Sequence, residues 1–241
     1  HAVVVVDSSG SMRKRDVAGY SSRTHAVYEC LATEFITPQL ETPKGGKAAK
    51  AVLSLIEMSD SSSVVFERQE ITAQLRNQVR NRGSRVARSH GNYLPALDAV
   101  VDLLRDDLTK PVQVYIVFLS DGAPSDHINM LCGHGVAVWS ANPLGNTRAN
   151  GKPELNLCCT NKKQQGLCRY KVRDNMVKAC LQQISAIGDM FGRERVRVNT
   201  VAFGPAGEDY AVLEKMSTVL PMGTFTKLGL SSINLSSAFS T

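Results

Sequence analysis

The sequence predicts an α/β fold, a doubly wound and mostly parallel sheet flanked by helices. Near-continuous apolar runs alternate with segments of helical periodicity, the pattern of parallel strands covered on both faces. Two of those runs, "VVVVDSSGS" and "YIVFLSDG", each end in an aspartate among small polar residues. The alternation persists along most of the 241 residues, a length within reach of one α/β domain.

"AVVVV" (residues 2–6) reads as a fully buried strand. Residues 22–40 read as a helix, with Ala26, Val27, Cys30, Leu31, Phe35 and Leu40 spaced by three or four. "TPKGGK" (42–47) is a turn-rich link. Residues 49–59 form the next strand and 62–69 its antiparallel neighbour, followed by a basic helix over 70–82. Residues 93–108 form a helix with Pro95 in its first turn and a stripe of Leu94, Leu97, Val100, Val101 and Leu104. A second central strand spans 111–122, then a helix 170–192, a strand 195–204, a helix 209–220, an edge strand 223–229 and a last helix 231–239. Residues 123–169 break the pattern. They are polar, hold Trp139 and four of the six cysteines (Cys132, Cys158, Cys159, Cys168), and read as a long insertion in one domain spanning 1–241.

The composition is globular, 43% hydrophobic and 21% charged. No apolar run reaches the ~18 residues of a membrane helix. The chain starts at His1 without a Met, so a segment of a longer protein is expected. The cysteine spacing favours reduced thiols, and with them an intracellular, cytoplasmic setting. Net charge is +6, concentrated at Arg76, Arg80, Arg82, Arg85 and Arg88. That balance suits an acidic partner, while few aromatics and no binding module argue against nucleic acid.

The two aspartate-ended strands carry the chemistry. In a doubly wound sheet, ligands bind outside the strand ends where strand order reverses. Neighbouring strands would bring Asp7 and Asp121 to one cleft, where two carboxylates repel. A hard divalent cation relieves that repulsion and takes oxygen ligands. In an extended loop, Ser9 and Ser11 would turn both hydroxyls to the same point, with Gly10 allowing a close bend. Oxygen donors without a soft ligand suggest Mg²⁺, Mn²⁺ or Ca²⁺. The alternative for Asp7 and its serines is a helix N-cap.

"DSSGS" after an apolar strand, with the later "FLSDGAP", "GNYLPALDAVV" and "RVNTVAFG", resembles von Willebrand factor A (vWA) domains, a Rossmann-like family. The resemblance implies a metal-ion-dependent adhesion site at Asp7, Ser9, Ser11 and Asp121. It also implies a threonine in the loop before the middle helix. Gly91 stands there instead, with Asn92 beside it as a candidate amide ligand. The implied function is non-enzymatic: the ion engages an acidic residue of a protein partner, with Arg82, Arg85, Arg88 and His90 as a basic rim. The alternative is a structural scaffold subunit with a degenerate metal site, docked through its insertion and basic surface.

No GxSxG, HExxH or GxxxxGK[ST] run is present. A haloacid-dehalogenase-type phosphotransferase needs a second Asp where Ser9 stands. In the insertion, the spacing of Cys132, His134, Cys158, Cys159 and Cys168 departs from the paired cysteines of structural zinc, so free thiols are preferred over disulfides or zinc.

Overall fold

The computed structural model describes residues 1–41, 51–87, 90–126 and 162–239. Six strands, β1 (Ala2–Asp7), β2 (Val52–Met58), β3 (Ser62–Glu70), β4 (Val114–Ser120), β5 (Val196–Ala202) and β6 (Met222–Lys227), form one sheet in the order β3-β2-β1-β4-β5-β6. Every pairing is parallel except the β2–β3 hairpin. Among the described residues seven α-helices pack around it: α1 (Arg23–Cys30), α2 (Thr37–Glu41), α3 (Ala73–Arg82), α4 (Tyr93–Leu104), α5 (Lys162–Phe191), α6 (Ala211–Ser217) and α7 (Ser232–Phe239). This is the doubly wound fold read from the alternation of runs.

The four valines of β1 show why that strand is apolar throughout. Successive side chains point to opposite faces. Val3 and Val5 enter a core with Phe118 and the buried sides of α4, α5 and α6. Val4 and Val6 enter a second core with Leu55, Val117 and residues of α1, α3 and α7. A polar residue at any of the four would lie in one core or the other.

Several boundaries differ from the reading above. The helix expected over 22–40 passes from α1 through a π-helical stretch, Leu31–Ile36, into α2. Pro38 has no N–H to give to a carbonyl one turn back, and the residue before it, Thr37, donates both its backbone N–H and, at 2.9 Å, its Oγ1 to the Ala32 carbonyl. α3 starts at Ala73 rather than 70. β3 runs on to Glu70, and Thr72 caps the helix by accepting from Leu75 N at 3.1 Å. The buried stripe of α4 is Tyr93, Ala96, Leu97, Val100, Leu103 and Leu104, with Leu94 and Val101 only half-buried. Tyr93 leads that stripe, its ring 4.8 Å from the Phe118 ring in an edge-on contact. α5 begins at Lys162, inside the stretch expected as loop. Residues 127–161, with Cys132, His134, Cys158, Cys159 and Trp139, lie outside the described residues, as does the Cys168 side chain. Cys30 and Cys180 are buried free thiols. Among the described residues no helix is long and apolar enough to cross a membrane.

α4 is capped from a distance. Its own N-cap residue, Asn92, makes no capping side-chain bond. Buried Asp126, beyond β4, accepts from Tyr93 N at 2.7 Å and Leu94 N at 2.8 Å. Asp126→Ala leaves both amides without that acceptor and is expected to cost about 1 kcal/mol. Urea denaturation checks this as a lower midpoint at unchanged slope.

Candidate metal centre

Strand order reverses at β1, which pairs in parallel with both β2 and β4. Their carboxyl ends therefore open a crevice at the switch point. Asp7 is the last residue of β1, and Asp121 follows β4. The two meet at a cleft of about 340 Å³ whose wall includes Asp7, Ser9, Ser11, Gly91 and Asp121.

Both carboxylates are nearly sealed, at 2% and 4% exposure. Asp7 Oδ1 accepts from Ser9 N at 2.7 Å, and its Oδ2 accepts from Ser120 Oγ at 2.6 Å. Ser11 Oγ donates to Asp121 Oδ1 at 2.7 Å and lies 2.9 Å from Ser9 Oγ. The loop is not extended as read from the sequence, since Gly10–Arg13 form a 3₁₀ turn. The turn still brings the two hydroxyls together. Burial, then the charge of Asp121, pushes the Asp7 carboxyl up to about 6 against the hydrogen bonds from Ser120 and Ser9. A carboxyl raised in this way costs stability when ionised: the cost grows as pH rises from about 4 to about 6 and persists above. A neighbouring cation offsets it.

One cation is already present and was not read from the sequence. Arg23, on the first turn of α1, is 1% exposed. Its Nη1 donates to Asp121 Oδ2 at 2.7 Å and its Nε to Asp16 Oδ1 at 2.8 Å. The signal was its position: Arg23 falls four residues before Val27 and seven before Cys30, on the helix's apolar stripe. An arginine there implies a buried acid. Asp7, Asp16, Asp121 and Arg23 together keep two net negative charges when ionised, and Arg23 leaves Asp121 Oδ1 turned to Ser11.

The donor set fits a small hard cation. Magnesium–oxygen bonds of about 2.0–2.1 Å place adjacent ligand oxygens about 2.8–3.0 Å apart. The Ser9–Ser11 oxygens are spaced 2.9 Å, inside that range, and the Ser11–Asp121 oxygens, joined by a hydrogen bond, 2.7 Å, just below it. Gly91 opens directly onto Asp7: a Cβ there would lie 3.3 and 3.4 Å from the two carboxylate oxygens. Asn92 does not line the cleft. Its Nδ2 donates to the Asp60 carbonyl at 3.0 Å, and its buried Oδ1 finds no donor among the described residues.

Among the described residues of the expected basic rim, His90 reaches the cleft and the arginines do not. Arg82 pairs with Glu57 at 2.7 Å, in a network with the Tyr28 hydroxyl. Arg85 lines a different cavity, and Arg88 lies outside the described residues. His90 lines the cleft, its Nδ1 2.7 Å from Asp60 Oδ1. Glu208, from the β5–α6 loop, lines the opening as well and was not singled out from the sequence.

Residues 2–123 match the family model described as von Willebrand factor type A domain. No curated protein matches the sequence. Among solved structures, the PilB minor pilin from Streptococcus sanguinis is similar at TM-score 0.60 and 17% identity, over 99% of this chain and 59% of that one. The pilus adhesin SpaC from Lactobacillus rhamnosus GG is similar at TM-score 0.62 and 15% identity, over 99% and 29%. The VWA domain of SpRpn10 is similar at TM-score 0.53 and 10% identity, over 98% and 92%. The chain thus spans well under two thirds of the pilin and of the adhesin, and at these identities the likeness is one of fold.

Proposed function

The chain belongs to the von Willebrand factor type A domain family, and from that premise we propose that it is a non-enzymatic protein-binding module. In this reading Ser9, Ser11 and Asp121, with Asp7 behind them, hold a divalent cation at the sheet's carboxyl edge. When bound, the ion supplies an open coordination position for an acidic residue of the partner. The chain's residues do the rest. Ser120 and the Ser9 amide fix Asp7, Arg23 fixes Asp121, and the 3₁₀ turn after Ser9 presents both hydroxyls.

The observation that carries the reading is the convergence of two buried carboxylates and two hydroxyls at the switch point. Its similarity in fold to a minor pilin and a pilus adhesin supports an adhesive role. The whole chain, 1–241, is read as one such domain.

Calorimetric titration with Mg²⁺ and Mn²⁺ tests the proposal. Saturable heat at millimolar metal or below is expected, with no heat after Asp121→Asn. No saturable heat for the unaltered protein at millimolar metal would leave the scaffold reading, in which the site is degenerate.

A further inference from the structure

A second cavity, of about 270 Å³, is lined in part by the continuation of the loop that carries Ser9 and Ser11. The loop running on from Ser11 supplies Arg13 and Arg15, the start of α1 supplies Ser22 and Thr24, and the loop after α3 supplies Ser84 and Arg85. We propose that this cavity is a binding site for a tetrahedral oxyanion, a phosphate or sulfate monoester carried by the protein partner.

The charge pattern points there. Arg23, Arg80, Arg82 and Arg193 each meet a carboxylate. Arg13, Arg15 and Arg85 do not, among the described residues. All three are exposed, and the fold gathers them around one concavity. Arg13 uses Nε to hold the Gly10 carbonyl at 3.1 Å, which sets its side chain while its terminal nitrogens stay open. Like charges gathered without a counter-ion repel, and a bound anion offsets that cost, a phosphate monoester with up to two charges and a sulfate monoester with one.

Guanidinium groups from two loops offer more N–H donors than a carboxylate's two oxygens can engage. Three terminal oxygens of a phosphoryl or sulfuryl group suit them better. The start of α1 at the cavity wall adds the positive end of a helix dipole, which helps an anion without defining the site. A protein rather than a free ion is favoured by Val86 in the cavity wall, an apolar side chain left 63% exposed. The shared loop favours it too: residues 9–11 line the metal cleft, and Arg13 and Arg15, a few residues on, line this cavity.

This inference rests on the protein-binding reading but not on the metal. The test is therefore run in EDTA, and a failed metal site does not alter its outcome. Inorganic phosphate is titrated at constant ionic strength and followed by amide chemical shifts. Expected are saturable shifts confined to residues 13–24 and 83–87, with Arg85→Ala weakening binding at least fivefold and Arg13→Ala/Arg85→Ala abolishing it. Thermal melting confirms that these exposed substitutions leave the fold intact. Phenyl phosphate and phenyl sulfate then rank the two esters. Diffuse, non-saturating shifts, or equal binding by the unaltered protein and the double variant, would overturn the proposal.

Discussion

Replacing Arg23 by methionine is expected to lower folding stability by about 3–5 kcal/mol at neutral pH, the usual cost of removing one partner of a buried ion pair. The side chain is 1% exposed and Asp121 3%, so water cannot take over the lost interaction. Methionine keeps much of the apolar stem that packs in α1's stripe, which isolates the charge from the volume. Asp16 is 35% exposed and can be resolvated. Asp121 cannot, and among the described residues Ser11 is left as its side-chain donor, close to a second buried carboxylate. The double variant Arg23→Met/Asp121→Asn removes the stranded charge and is expected to recover a large part of the loss. The two single and one double variants, unfolded in urea, form a cycle whose coupling reports the pair. A loss under about 1 kcal/mol for Arg23→Met would mean that the pair behaves like an exposed one.

The residues of the candidate site were legible because they are local signals. Four valines followed by "DSSGS" announce a buried strand delivering an acid to the sheet edge, and "FLSDG" repeats the design. That Asp7 and Asp121 share a cleft depended only on β1 and β4 being neighbours, which the alternation implied and the register shows. What stayed hidden is pairwise and distant in sequence. Asp126 caps α4 across 33 residues, Arg23 reaches Asp121 across 98, and Glu57 neutralises Arg82 across 25. A charge run shows its own sign and not the acids that fold against it. So the sequence shows Arg82 as an available charge, although Glu57 pairs with it, while Arg13 and Arg15 sit in a run of only three basic residues, "RKR". Helix starts were misplaced where a competing element decided: β3 holds Glu70, and Thr72 sets the first turn of α3.

Gly91→Thr is expected to tighten Mg²⁺ binding by about tenfold, or about 1.4 kcal/mol. The family resemblance places a ligating threonine at this position, where a side chain would point onto the Asp7 carboxylate. The Gly91 backbone is not in the positive-φ region, so a β-branched residue fits without backbone strain. A hydroxyl added beside Ser9 raises the count of oxygen donors, which governs affinity for hard cations. There is an opposing cost. The new Cβ would stand 3.3 and 3.4 Å from the Asp7 oxygens, and Asp7 cannot easily retreat because Ser9 N and Ser120 Oγ hold it at 2.7 and 2.6 Å. Gly91→Ala carries that steric cost alone and is expected to lose about 1 kcal/mol of stability with no gain in metal affinity. The ratio of the threonine and alanine dissociation constants reports the hydroxyl together with the γ-methyl, and Gly91→Val, which keeps a γ-methyl without the hydroxyl, separates the two. Equal constants would show that a side chain at position 91 does not reach the ion. The tight approach of Gly91 to Asp7 would then be a packing feature of the loop, leaving Ser9, Ser11 and Asp121 to hold the cation without it.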